Sequence, residues 1–143
     1  MTARLIDGRG VALALRASLA AEVARLPFRP GLAVVLVGDD PASAVYVRNK
    51  DRAAAACGLD ARTIRLPAAT AQAALLRVIA GLNADPDVDG ILVQLPLPPP
   101  IEARVAIAAL DPAKDVDGLH PLNAGALAEG RPTLAPCTPR GVM

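Results

Sequence analysis

The sequence predicts an α/β fold, a three-layer sandwich in which a mostly parallel sheet is flanked by helices. Three observations carry the prediction. The apolar runs at 32–37 and 90–93 lack polar alternation, as strands buried on both faces do. Helical patterns separate the strand patterns, and alternation of this kind implies parallel strands with right-handed crossovers. With one tyrosine, one phenylalanine and no tryptophan, the core must be built from small aliphatic side chains. Helices and parallel sheet suit such a core better than an aromatic-rich sandwich does.

Each element has a local reason. An Ala- and Leu-rich stretch after Asp7 predicts an opening helix over about 8–26, and Pro30-Gly31 then introduces the strand 32–37. Gly38-Asp39-Asp40-Pro41 is a turn that opens a second helix, about 42–57, closed by Gly58. Residues 62–66 alternate as an edge strand does, and Thr70 is placed to cap a third helix reaching about Asn83. Asp85-Pro86-Asp87 breaks that helix before the strand 90–94, and a short helix near 101–110 precedes a loop over 111–120. Thr138-Pro139 reads as a helix start with too few residues after it to stand alone. The expectation is a chain cut as a connecting helix begins, ahead of a further domain.

The 143 residues amount to one domain, and 15 Lys plus Arg against 14 Asp plus Glu leave a net charge of +1. No field of one sign is available for nucleic acid. The apolar runs fall far short of the roughly 20 residues that span a bilayer, and Asp7 arrives before any signal-peptide core. A soluble, cytoplasmic protein is expected. Cys57 and Cys137 show no metal-ligand spacing, so reduced thiols and no metal site are expected.

In sheets of this class ligands sit at the carboxyl ends of the strands, here residues 38–41 and 94–100. Ser43, Tyr46 and Lys50 follow at i, i+3 and i+7 on the second helix, along one stripe. Thirteen of the 15 basic residues are arginine, leaving Lys50 and Lys114 as the only lysines. A retained lysine marks a place for an amine that can release a proton, which arginine cannot do; codon drift that left two lysines unreplaced explains the rarity at least equally well. Gln94 leaves the second apolar strand just before a proline-rich segment, so its amide can be held rigidly toward a cleft. Lys114-Asp115-Val116-Asp117-Gly118 offers two carboxylates on a loop, readable as a metal loop or a plain turn. No Gly-x-Gly-x-x-Gly follows a strand, and no phosphate-binding Gly-x4-Gly-Lys-Ser/Thr occurs.

Four segments together resemble one family. They are Val37-Gly38-Asp39-Asp40-Pro41-Ala42-Ser43 through Tyr46-x3-Lys50; Asp89-Gly90-Ile91-Leu92-Val93-Gln94-Leu95-Pro96-Leu97-Pro98; Pro112-x-Lys114-Asp115-Val116-Asp117-Gly118-x-His120-Pro121-x-Asn123-x-Gly125; and Pro136-Cys137-Thr138-Pro139-Arg140-Gly141. In this order, over nearly the whole chain, they are similar to the bifunctional methylenetetrahydrofolate dehydrogenase/methenyltetrahydrofolate cyclohydrolases. The resemblance implies that 1–143 is the folate-binding catalytic domain, of the amino-acid-dehydrogenase-like N-terminal type, and that the NADP-binding Rossmann domain is absent from the chain. It further implies NADP-dependent oxidation of 5,10-methylenetetrahydrofolate and hydrolysis of the methenyl product to 10-formyltetrahydrofolate, within one-carbon metabolism and purine biosynthesis. The alternative is an isolated folate-binding module with little activity of its own.

By the same resemblance Lys50 is the proton-transferring lysine, Tyr46 the ring that packs on the folate, Gln94 the amide that tunes the lysine, and Asp117 the anchor of the pterin. Ser43, Leu95, Pro96, Asp115 and Pro136 match substrate-lining positions, and Cys137 and Thr138 border the cofactor. The implied partners are tetrahydrofolate derivatives and, for the full-length protein, a second copy as homodimer. The chemistry fits these residue types. A carboxylate accepts two hydrogens from an exocyclic amine and the adjoining ring N–H. An amine beside a cationic substrate can serve as general base near neutral pH, and an amide orients that amine without adding charge.

Overall fold

A computed structural model of the protein describes residues 6–131 and 134–142. Among these the sheet has three parallel strands in the order β2-β1-β3: β1 (Gly31–Val37), β2 (Asp60–Leu66) and β3 (Gly90–Val93). The helices are α1 (Gly8–Val23), α2 (Pro41–Ala56), α3 (Gln72–Ala84), α4 (Ala103–Ala108), α5 (Pro121–Ala128) and α6 (Cys137–Val142).

The unalternated run of β1 is explained by a core on each face of the sheet. Ala33, Val35 and Val37 meet Leu75, Ile79 and Leu82 of α3 and Ala106 and Ile107 of α4, together with Ile91 and Val93. Val34 and Leu36 point the other way and pack with Leu92 and with Val47 of α2. Successive side chains alternate faces, so a central strand covered on both sides reads as continuously apolar, and three layers follow. β2 lies at the edge with alternating burial, as expected. The other edge is not bare, because residues 114–116 bridge to Ile91 as a short parallel extension.

Several boundaries differ from the sequence reading, among them the start of β2, at Asp60 instead of 62. α1 stops at Val23 instead of near Leu26, with Ala24 as its C-cap. Thr70 does not cap α3: its N–H and hydroxyl both go to the Pro67 carbonyl, at 3.0 and 2.6 Å, closing a tight turn, and the helix starts at Gln72 after Ala71. α4 keeps only six of the ten residues expected around 101–110. α6 starts at Cys137, one residue before the expected cap Thr138, so Thr138 and Pro139 both fall inside its first turn. α5 was not anticipated at all. His120 is its cap, with Nδ1 accepting the Leu122 N–H at 3.1 Å and Pro121 at the first helical position.

Candidate functional site

The site is assembled where β1 and β3 end. After Val37 the chain turns at Gly38, whose N–H still donates to the Leu66 carbonyl at 2.9 Å while its φ of +84° lies in the left-handed region that favours glycine. Asp40 then caps α2, its Oδ2 accepting the Ser43 N–H at 2.7 Å. Hydrogen bonds from the Ser43 backbone and then its side chain hold the Asp40 carboxyl below its ordinary value. The start of α2 is thereby fixed against the ligand-facing edge of the sheet.

The expected stripe of Ser43, Tyr46 and Lys50 is divided by burial. Ser43, 4% exposed, is turned inward to the cap, and Val47 is fully buried in the core. Tyr46 lies at the margin of this inward face, 64% exposed, with its ring available to solvent. Lys50, one turn after Tyr46, is half-buried and donates from Nζ to Gln94 Oε1 at 3.1 Å.

Gln94 is held at both ends. Its N–H donates to the Val35 carbonyl at 2.8 Å, continuing the ladder beyond β3, and its Nε2 donates to the Leu95 carbonyl at 2.7 Å. The partners fix which end of the amide is which, because an ammonium only donates and a carbonyl only accepts. Leu95 and Pro96 continue the wall as exposed residues joined by a cis peptide bond.

Asp117 completes the group. It is half-buried, and burial raises its carboxyl above the ordinary value; the nearby Lys50 charge pulls the other way, and Asp115 adds to the rise. Lys50, Gln94 and Asp117 are therefore brought together from three separate segments. Pro136 is adjacent: a Cβ on Gly118, at φ +64°, would stand 2.8 Å from the Leu134 carbonyl oxygen and 3.3 Å from Pro136 N.

Other expected site residues lie differently. Asp115 is 1% exposed, beneath the surface, and accepts hydrogen bonds from the His120 N–H and from Asn123. Cys137 and Thr138 are exposed on α6. Lys114, the other rare lysine, donates to the carbonyls of Leu82, Asn83 and Asp85 at 3.3, 2.8 and 2.8 Å, and so satisfies the carboxyl end of α3. Sequence reasoning did not single out Asn123 for a role; the only hint was its place beside His120-Pro121. Among the described residues no group of three His, Cys, Asp or Glu is placed to share a metal ion, and no helix is long and apolar enough to cross a membrane.

The family model described as tetrahydrofolate dehydrogenase/cyclohydrolase, catalytic domain, matches residues 6–117. The chain is 67% identical over 143 residues to the bifunctional protein FolD of Acidiphilium cryptum, covering all of this chain and 51% of that protein. It is 59% identical over 147 residues to the FolD protein of a Bradyrhizobium species, covering 50% of it. The chain thus spans about half the length of the curated relatives it matches. Among solved structures it is similar to the FolD dehydrogenase/cyclohydrolase of Campylobacter jejuni, with TM-score 0.93, 40% identity, and 96% of this chain and 50% of that one covered. It is also similar to the Trypanosoma brucei enzyme complexed with NADP cofactor and inhibitor, with TM-score 0.94, 43% identity, and 100% and 51% covered.

Proposed function

Since the chain belongs to the tetrahydrofolate dehydrogenase/cyclohydrolase catalytic-domain family, we propose that it supplies the folate site for oxidation of 5,10-methylenetetrahydrofolate and for hydrolysis of the methenyl product to 10-formyltetrahydrofolate. The observation that carries the reading is the Lys50–Gln94 hydrogen bond at the carboxyl edge of the sheet, beside a half-buried carboxylate at Asp117. An acid, an amide and a titratable amine converge there from a helix, a strand end and a turn.

In the hydrolytic step, water adds to the cationic carbon between the two nitrogens of methenyltetrahydrofolate. Lys50 takes the proton that water releases and delivers it to the departing ring nitrogen, which is general base followed by general acid catalysis. Gln94 Oε1 keeps the Nζ in place through both protonation states because each still has an N–H to donate. Asp117, ionised, accepts from the exocyclic amine and adjoining ring N–H of the pterin. The exposed face of Tyr46 and the Leu95-Pro96 wall offer apolar surface to the aromatic part of the substrate.

Oxidation calls for NADP as hydride acceptor. The described residues do not form a cradle for it: no glycine-rich turn follows a strand, and Cys137 and Thr138 stand exposed on a six-residue helix. In this reading, 1–143 is the folate domain, and NADP is held mainly by the part of the relatives' length that this chain does not span. A cytoplasmic homodimer contributing one-carbon units to purine synthesis is the setting we propose.

Lys50→Met tests the reading. Methenyltetrahydrofolate hydrolysis should be abolished while binding of 5-formyltetrahydrofolate and the melting temperature stay close to those of the parent protein. Hydrolysis at the parent rate would show that Lys50 is not the proton carrier. Binding without hydrolysis by the unmodified chain would favour the second reading, a folate-binding module; the openness of the site around Tyr46 is the observation behind it.

A further inference from the structure

We infer that Asp115 is a positioning residue for the folate site: its carboxylate locks the turn that presents Asp117, without touching the substrate itself. The inference rests on the folate reading above and revises the substrate-lining role that the resemblance gave Asp115.

Asp115 heads a four-residue turn. The Gly118 N–H donates to its carbonyl at 3.3 Å, which leaves Asp117 at the third position, the one the turn projects. Its side chain then reaches across the open end of the turn. Oδ2 accepts from the His120 N–H at 2.7 Å and from Asn123 Nδ2 at 3.0 Å, and the same amide nitrogen donates to the Pro112 carbonyl at 2.9 Å. One oxygen therefore ties together the segment entering the turn, the segment leaving it and the first turn of α5.

The flanking backbone is also fastened. Ile91 N–H donates to the Lys114 carbonyl at 2.6 Å, and Val116 N–H donates to the Ile91 carbonyl at 3.4 Å, which stitches the turn to β3. Val116 packs against the core under α2, and a Cβ on Gly90 would lie 2.5 Å from its Cγ1. With Lys114 and Val116 held on β3, the remaining freedom of Asp117 lies in the downstream limb, residues 117–120. The Asp115 carboxylate closes that limb. At 1% exposure it is out of reach of a ligand and within reach only of its own fold.

Asp115→Ala and Asp115→Asn separate positioning from simple stabilisation. Asparagine can place its oxygen where Oδ2 is and keep both donors, whereas alanine removes the acceptor that the buried His120 N–H and the Asn123 amide share. Calorimetric titration of 5-formyltetrahydrofolate into the 143-residue chain, at a temperature where circular dichroism shows each variant folded, should give binding weakened about tenfold or more for alanine. The asparagine variant should stay within about threefold of the parent, the geometry being kept. Parent-like affinity in a folded alanine variant would overturn the inference, and so would an asparagine variant as weak as alanine, because charge and not shape would then be responsible. If the alanine variant does not fold, Asn123→Ala removes one donor and the tie to Pro112; unchanged affinity in that variant would overturn the inference equally. A parent chain that does not bind the probe would instead bring down the folate reading, and the inference with it.

Discussion

Lys114→Met isolates what one ammonium contributes to the fold. The last carbonyls of a helix lack an intrahelical partner; Nζ meets those of Leu82 and Asn83 and that of the cap residue Asp85 at 3.3, 2.8 and 2.8 Å, and the Leu82 and Asp85 carbonyls also accept the Asp85 and Val88 N–H groups, each at 3.3 Å. A hydrogen bond from a charged donor contributes about 1.5–3 kcal/mol net. Lys114 is only half-buried, so water recovers part of the loss when the head is removed. Counting the two short bonds as one fully lost and one half recovered, and the longest as recovered, gives a destabilisation of about 2–4.5 kcal/mol. Methionine retains the apolar stem, which keeps the effect assignable to the head group. For a domain of this size the corresponding fall in melting temperature is about 10 °C. Lys114→Arg should lose a substantial part of the same stability, because a planar fork does not match three carbonyls gathered around one compact point. Urea unfolding followed by circular dichroism gives the values directly. A Lys114→Met variant within about 0.5 kcal/mol of the parent, the usual range for a surface change, would refute the capping argument.

Two other outcomes follow from the site and the core beneath it. Burial raises the folded Asp117 carboxyl above its unfolded value, so its protonated form favours folding at low pH, and that contribution is lost as pH rises through the raised value. Asp117→Asn should therefore melt higher than the parent at pH 7, with the difference closing as pH falls below the ordinary carboxylate value, while 5-formyltetrahydrofolate binding by calorimetry drops about 10- to 100-fold; a lower melting point at pH 7 would contradict the burial argument. Val47→Ala opens a hole in the core under α2, where Val47 is fully buried with Val34, Leu36 and Leu92. It should cost about 2 kcal/mol in urea unfolding and also reduce methenyl hydrolysis below the melting transition, since Lys50 sits one turn further along the same helix; hydrolysis unaffected in the folded variant would detach the core from the site.

The sheet and its two-sided core were legible because burial on both faces leaves a direct mark in β1, an apolar residue at every position. α5 left no such mark. Among its residues only Asn123 is buried, and Leu122 and Leu127 are exposed, so there is no apolar stripe to find. The helix is held instead by its cap and by the Asp115 carboxylate, contacts that join residues across a turn. Thr70 was misread because a hydroxyl followed by a helical pattern looks the same whether it caps the helix or closes the turn before it. The two lysines were equally rare and equally flanked by acidic residues. Only tertiary placement separates an amine aimed at three helix carbonyls from one aimed at a single neutral amide. Likewise the spacing of Ser43, Tyr46 and Lys50 put them on one stripe, but which part of that stripe faces the sheet was decided by Val47.

Register connects the core to the chemistry. β3 pairs with β1 through Ala33↔Ile91, Val34↔Leu92 and Val35↔Val93, and the Gln94 N–H donates to the Val35 carbonyl in the next step. Side chains alternate along a strand, so Leu92 and Gln94 share the face that looks toward α2, while Ile91 and Val93 look toward α3 and α4. On α2, Val47 packs with Leu92, and Lys50, three residues on, meets Gln94, two residues on from Leu92. One step outward along each element therefore converts an apolar contact into the amine–amide pair. A slip of one residue in β3 would send Gln94 to the opposite face and bury a polar amide among Leu75 and Ile79. The apolar residues that fix this register thus hold Gln94 in front of Lys50, and the geometry of the site is set by the same packing that makes the fold.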